Sequence, residues 1–232
     1  MECWICGSEA DSREHRIKRS DLKKLYPNIS QKTPVYYRRN GEIKRPIGRV
    51  NSDSFKFDKI ICQKCNNSRT QNSDNSWSQL SGDLIENWQT IKDHGTIDLS
   101  KIFKEKITEN MVFVQQLFVK IFGCKVRESA APIKTDSLSM SLLSGIENDF
   151  IYISFRDSAN GLSPSYVAIS DIEIFSCKSQ IVYAQMYYTI GSVTVDIIFC
   201  EDTALIDLNG GLKPNQMGNI IKLSSLNYHQ GY

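Results

Sequence analysis

The spacing of apolar residues changes character twice along the chain. Up to about residue 75, apolar positions come in short stretches interrupted by turns and charges, too sparse for a conventional core. Within this part, residues 33–47 read as a hairpin. Val35, Tyr36 and Tyr37 are strand formers, Asn40-Gly41 is a favoured two-residue turn, and the chain returns from Ile43 to Ile47. Pro34 and Pro46 confine both strands to edges or ends, because proline brings no donor to a ladder. Phe55, Phe57, Ile60 and Ile61 predict one more short strand. The period then becomes three to four, and Trp77, Leu80, Leu84, Ile85, Trp88 and Ile91 predict a helix capped by Ser73 or Asp74 and ending near Gly95. A second helix is predicted over 108–122, where Met111, Val114, Leu117, Phe118, Ile121 and Phe122 leave little polar surface, so it should lie between layers. From Phe150 onward, β-branched and aromatic runs at 150–155, 166–175, 181–190 and 193–200 predict strands, with a tight turn at Gly191-Ser192.

The pattern predicts an α+β protein: an N-terminal module over 1–95, then a region over 96–232 in which an antiparallel sheet is backed by the 108–122 helix. No internal repeat is visible, and the polar stretch 129–144 is the single biased segment. The chain has 232 residues, 41% of them apolar, which suits a globular protein and excludes fibre or wholesale disorder. No apolar run approaches the roughly 18 residues of a membrane helix, and Met1 leads into Glu2 and Cys3, not into a basic and then apolar leader. The expectation is a cytoplasmic protein with no membrane partner.

Charge sharpens the division. The net charge of +2 hides 16 Lys/Arg against 8 Asp/Glu in residues 1–70 and 12 against 18 in the remainder. A basic module joined to an acidic body suits a polyanion-facing surface, although a solvated basic face has the same composition. The hairpin interleaves Tyr36 and Tyr37 with Arg38, Arg39, Lys44 and Arg45. Such a ribbon can lie against nucleic-acid phosphates, and it can equally be an edge guarded by charge.

Four of the seven cysteines form two pairs, Cys3-x2-Cys6 and Cys62-x2-Cys65, whereas Cys124, Cys177 and Cys200 stand alone. An odd total without a leader argues against a disulfide framework. Paired knuckles suit a tetrahedral four-thiolate zinc site, and Gly7 suits the turn after the first pair. Such a zinc would be structural, supplying folding free energy that the sparse apolar residues do not.

Between the pairs lies Arg13-Glu14-His15-Arg16, and Asn66 directly follows the last thiol. Cys3-x2-Cys6-Gly7, then Glu14-His15, then Cys62-x2-Cys65-Asn66 resembles the HNH or ββα-metal endonucleases in their zinc-stapled form, as in phage recombination endonuclease VII. The resemblance covers about residues 1–80. It implies a treble-clef-like ββα-metal module in which Glu14 and Asn66 bind a catalytic Mg2+ or Mn2+ and His15 is the general base. Glu14 stands where Asp is commoner, and Asn67, Asn72 and Asp74 are candidates for further ligands or for helix caps.

The implied activity is phosphodiester hydrolysis, in DNA sooner than RNA, of the kind found in restriction and antiphage defence. A near-neutral imidazole can deprotonate water, and a hard cation can offset charge on the phosphate. Arg16 and Arg69 are further candidates for phosphate contact. The 96–232 region is left for a recognition role, for a protein partner or for self-association. The competing reading is a non-catalytic zinc module that binds nucleic acid or protein.

Overall fold

One helix is buried on every side, and the rest of the molecule is arranged around it. The computed structural model describes residues 1–37, 45–158, 166–177, 180–203, 208 and 210–224. Every residue from Val114 to Val126 is buried in helix α5 (Ile107–Ser129), so this element has no solvent stripe and needs cover all round. It runs seven residues beyond the predicted end at 122 and stops at Ala130, which takes the left-handed conformation (φ 52°). Gly123 and Lys125 dilute the apolar pattern there, yet both are buried.

The sheet covers one side. Strands β4 (Ile151–Asp157), β5 (Val167–Ile169), β6 (Glu173–Cys177), β7 (Gln180–Ile190) and β8 (Val193–Phe199) form an antiparallel sheet of order β4-β8-β7-β5, with β6 also pairing β7. The predicted 166–175 strand is therefore two strands. β6 pairs the first half of β7 and β5 the second, so the chain bends between them at 170–172. Ile190 opposes Val193 across Gly191-Ser192, and Gly191 has φ +58°, as a two-residue turn requires. Phe122 stacks on Phe199 at 5.9 Å, and Phe118 meets Tyr188 edge-on at 5.6 Å. On the opposite face of the sheet Tyr152, Ile198 and Cys200 make a second small cluster, which explains why β8 is buried along its whole length.

Helix α3 (Gln71–His94) packs along α5 and carries Trp77, Leu80, Leu84, Trp88 and Ile91 inward as the pattern predicts. It begins at Thr70, three residues before the predicted cap at Ser73, and ends on Gly95 in the left-handed conformation. Short elements that the pattern does not predict close the lower end: β3 (Thr96–Asp98) pairs with β9 (Ile220–Lys222), followed by α4 (Leu99–Phe103). The polar stretch holds α6 (Asp136–Ser144).

In the N-terminal part, β1 (Val35–Tyr37) pairs with β2 (Arg45–Ile47), so the two expected strands meet, but in the register Val35↔Ile47, whereas a two-residue turn at Asn40-Gly41 would set Val35 opposite Pro46; the turn itself lies outside the described residues. The strand predicted from Phe55 to Ile61 is instead a 3-10 turn, Asp53–Phe55, followed by single bridges His15↔Lys56 and Ser12↔Ile61. Helices α1 (Arg19–Leu25) and α2 (Gln63–Asn66) complete this part.

Buried apolar residues from Cys3 to Ile221 form one cluster, so the core runs across residue 95 without a gap. Trp4 is the clearest link. A Cβ on Gly123 would lie 2.3 Å from its ring, so glycine is the residue that admits the indole against α5. Gly123→Ala should therefore destabilise the fold by about 1–3 kcal/mol through overpacking. Chemical denaturation checks this, and adding Trp4→Leu should recover part of the loss by removing the clash.

Candidate metal centre and histidine site

Two knuckles bring four thiols together. In the first, Gly7 N–H donates to Cys3 O at 2.8 Å and Gly7 takes φ +74°, a tight turn that glycine enters without strain. In the second, Cys62 caps α2, its sulfur accepting from Cys65 N–H at 3.4 Å. Backbone bonds Trp4 N to Ile60 O and Ser12 N to Ile61 O hold the halves side by side. The sulfurs of Cys3, Cys6, Cys62 and Cys65 all lie within 4.8 Å of one another, and this set could hold a metal ion.

The donor chemistry agrees. Burial and neighbouring thiols push Cys65 up, whereas the Ser8 hydroxyl holds Cys6 down at about 6. Four crowded thiols resist joint ionisation unless a cation offsets their charge, and soft sulfur in tetrahedral number is compatible with zinc. Arg69 donates to Cys65 Sγ at 2.7 Å, so the guanidinium expected on phosphate is directed at a thiol, where it would offset negative charge if the four sulfurs held a metal as thiolates.

Asn66 ties the candidate catalytic segment to this cluster. Its amide donates to Ser12 Oγ at 2.9 Å and to Arg13 O at 3.1 Å, two residues before His15. The backbone bridge to Lys56 fixes the other side of His15. The imidazole Nε2 is buried with no hydrogen-bond partner, as is Arg13 Nε nearby in sequence. Burial, helped by the charges of Lys18, Lys56 and Arg19, pushes His15 down to about 4 against the pull of Glu14, so the ring is neutral near pH 7.

Glu14 points the other way. It is 2% exposed, and its two oxygens each accept an ammonium: Lys18 Nζ on Oε1 and Lys120 Nζ on Oε2, both at 3.0 Å. Asp74 on α3 approaches Lys18 at 2.7 Å and Lys120 at 3.5 Å, and Lys120 also donates to Thr70 Oγ1 at 2.9 Å. Burial alone would raise the Glu14 carboxyl, but Lys120 and Lys18 outweigh it and hold it at about 2. A divalent ion on this carboxylate would sit against two ammonium groups, so Glu14 as placed does not fit the expected Mg2+ or Mn2+. Among the described residues the four cysteines are also the sole cluster of three or more metal-ligating groups. Asn67 and Asn72 are exposed, and Asp74 belongs to the ion cluster.

Arg16 also differs from expectation. It is 4% exposed, pairs through both terminal nitrogens with Glu128 of α5, and lies 4.5 Å over the Phe57 ring. An arginine so placed is a structural bridge between the N-terminal part and α5, not an exposed phosphate contact. Arg45 is exposed on β2, and Arg38, Arg39 and Lys44 lie outside the described residues.

The pattern did not single out Lys120 or Asp21, which help to anchor the site. Lys120 is fully buried, and its signal is a lysine inside the apolar run 111–124, since such a charge needs a partner. Asp21 on α1 is likewise fully buried and accepts from Trp77 Nε1 at 2.8 Å, Ser81 Oγ at 2.8 Å and Tyr188 Oη at 2.7 Å, while burial pushes its carboxyl up.

Set against family models, curated proteins and solved structures, the chain gives no match, so its function has to be argued from its own residues. Among the described residues no helix is long and apolar enough to cross a membrane.

The Glu14 arrangement predicts an acid-sensitive fold. Its folded pKa of about 2 lies below the ordinary 4.5, so between these values the unfolded chain binds more protons and stability is lost as pH falls. Glu14→Gln, which leaves two buried ammonium groups short of a counter-charge, should cost about 3–5 kcal/mol at neutral pH. Urea midpoints across a pH series check both, and an unchanged midpoint in the variant would contradict the clamp.

Proposed function

We propose that this chain is a nucleic-acid phosphodiesterase of the HNH type, cutting DNA, with zinc held by Cys3, Cys6, Cys62 and Cys65 and His15 as general base. The observation that carries the reading is His15 itself: a neutral imidazole with an unpartnered Nε2, on a segment that Asn66 ties to the four-cysteine cluster. An unsatisfied buried nitrogen costs free energy, and that cost is accounted for if the nitrogen serves a reaction. The resemblance of Cys3-x2-Cys6, Glu14-His15 and Cys62-x2-Cys65-Asn66 to the zinc-stapled ββα-metal nucleases supports the same reading.

In this proposal His15 Nε2 takes a proton from water as the water oxygen attacks phosphorus and the P–O3′ bond breaks, the leaving O3′ taking a proton from solvent. Asn66 acts as a positioning residue, fixing the backbone at Ser12 and Arg13. Because Nε2 is screened in the free protein, the substrate has to open this contact to be cut. No step runs through a Mg2+ or Mn2+ at Glu14, whose oxygens are engaged by lysines. That engagement also favours a second reading, a zinc module that binds nucleic acid without cutting it.

Plasmid and single-stranded DNA incubated with the purified protein and with His15→Ala separate the two. The variant should keep fold and DNA affinity and lose cleavage by about 10²–10⁴-fold. Wild-type-like cleavage by the variant would reject His15 as the base, and absence of cleavage by the native protein under all metal conditions would leave the binding reading. With His15 held at about 4, the rate should stay level as pH is lowered through the ordinary histidine range near 6.5 and fall only toward 4, where the ring protonates.

Zinc should behave as a structural part. About one equivalent should copurify, and Cys65→Ser should unfold the N-terminal part, seen as lost circular-dichroism signal and protease resistance. Metal analysis showing no zinc in a folded protein would refute the assignment.

A further inference from the structure

Two sheet edges border a cavity. Strand β5 ends the large sheet and β1 pairs with β2 alone among the described residues, and both line a cavity of about 520 Å3. Its walls carry Tyr26, Tyr36, Tyr37, Phe55 and Tyr166. A second cavity of about 550 Å3 shares Tyr26, Val35, Tyr36 and Tyr166 with it, so the two form one aromatic cleft. Each volume falls within the range that holds small organic ligands.

The cleft also has a buried cationic wall. Arg16 and Lys125 line the first cavity at 4% and 6% exposure. The Arg16 guanidinium is committed to Glu128, but the Lys125 ammonium pairs at 2.6 Å with Asp171, whose side chain is 69% exposed on the rim. A buried ammonium whose counter-ion sits at the solvent edge can exchange that carboxylate for a ligand anion at smaller cost than a fully buried pair, because the exposed carboxylate keeps most of its hydration throughout. Two of the rings stand open to solvent, Tyr36 at 63% and Tyr166 at 40%. An aromatic surface of this kind stacks planar groups.

We propose that this cleft binds a nucleotide unit, its base stacked among Tyr36, Tyr26 and Tyr166 and its phosphate on Lys125 in place of Asp171. Residues of β1 (Val35–Tyr37) and β5 (Val167–Ile169) lie within the same lining. The nucleotide is either free or part of a strand, and only the latter source rests on the nuclease reading.

The test is calorimetric titration of the zinc-loaded His15→Ala protein, in which turnover does not consume the ligand. The probes are nucleoside monophosphates, the matching nucleosides, inorganic phosphate and a single-stranded tetranucleotide. Monophosphates should bind at least about 10-fold more tightly than nucleosides, and inorganic phosphate alone should bind weakly or not at all. Lys125→Met should collapse the monophosphate-to-nucleoside ratio toward one, and Tyr36→Ala, on an exposed ring, should weaken both ligands by about 5-fold or more. Asp171→Asn, which frees the ammonium, should tighten monophosphates and leave nucleosides unchanged. Preference for the tetranucleotide over the monophosphate assigns the unit to a strand, and the reverse assigns it to a free nucleotide. Equal binding of inorganic phosphate, insensitivity to Tyr36→Ala, or no binding of any nucleotide would overturn the proposal. Failure of cleavage by the native protein would bear on the His15 reading alone.

Discussion

The structure depends on a single buried carboxylate being shared by two lysines from different parts of the chain. Glu14 comes from the segment between the cysteine pairs, Lys18 from the start of α1 and Lys120 from the middle of α5, and Asp74 on α3 supplies the second negative charge. None of these groups is tolerable in the interior alone, since the desolvation cost of an unpaired buried ion is several kcal/mol. Together they fix how the N-terminal part sits on α3 and α5. The arrangement also explains the orientation of the neighbouring residues: in an extended segment successive side chains alternate, so turning Glu14 inward faces His15 the other way.

A second network works in parallel. Asp21 gathers donors from Trp77, Ser81 and Tyr188, and Tyr188 in turn accepts from the Lys18 backbone at 2.9 Å. Trp77, Phe118 and Tyr188 then meet edge to face around the same point. Polar groups at this depth set one geometry, because each has a required partner, and the aromatic rings supply the area that makes burying them worthwhile. The N-terminal part thus gains a core by docking on α5 and the sheet.

This bears on how a four-cysteine module can work within a larger fold. A four-cysteine centre fixes Cys3 to Cys6 and Cys62 to Cys65, but it constrains the intervening 55–60 region and the Glu14–His15 segment only through Asn66 and a few backbone bonds. The body supplies the rest through Lys120 and Glu128 of α5. The candidate base and the aromatic cleft then lie next to a boundary at which the N-terminal part and the body both contribute side chains, which is where ligand sites commonly form.

The sequence by itself determined the elements with strong local signals. Periodicity placed α3 and α5, β-branched and aromatic runs with Gly191 placed the β7–β8 hairpin, and the spacing of Cys3, Cys6, Cys62 and Cys65 brought four thiols to one point. Helix α6, β3, β9 and the division between β5 and β6 were not legible, since short elements are held by partners distant in the chain more than by their own pattern. The candidate site was legible in part. His15 and Asn66 could be picked out because their residue types sit beside the cysteine pairs, whereas the fate of Glu14 and Arg16 could not. A carboxylate or a guanidinium carries the same sequence signal whether it faces a metal, a phosphate or an opposite charge in the interior. Only the tertiary structure decided this, by bringing Lys120 and Glu128, more than a hundred residues away, within ion-pair distance.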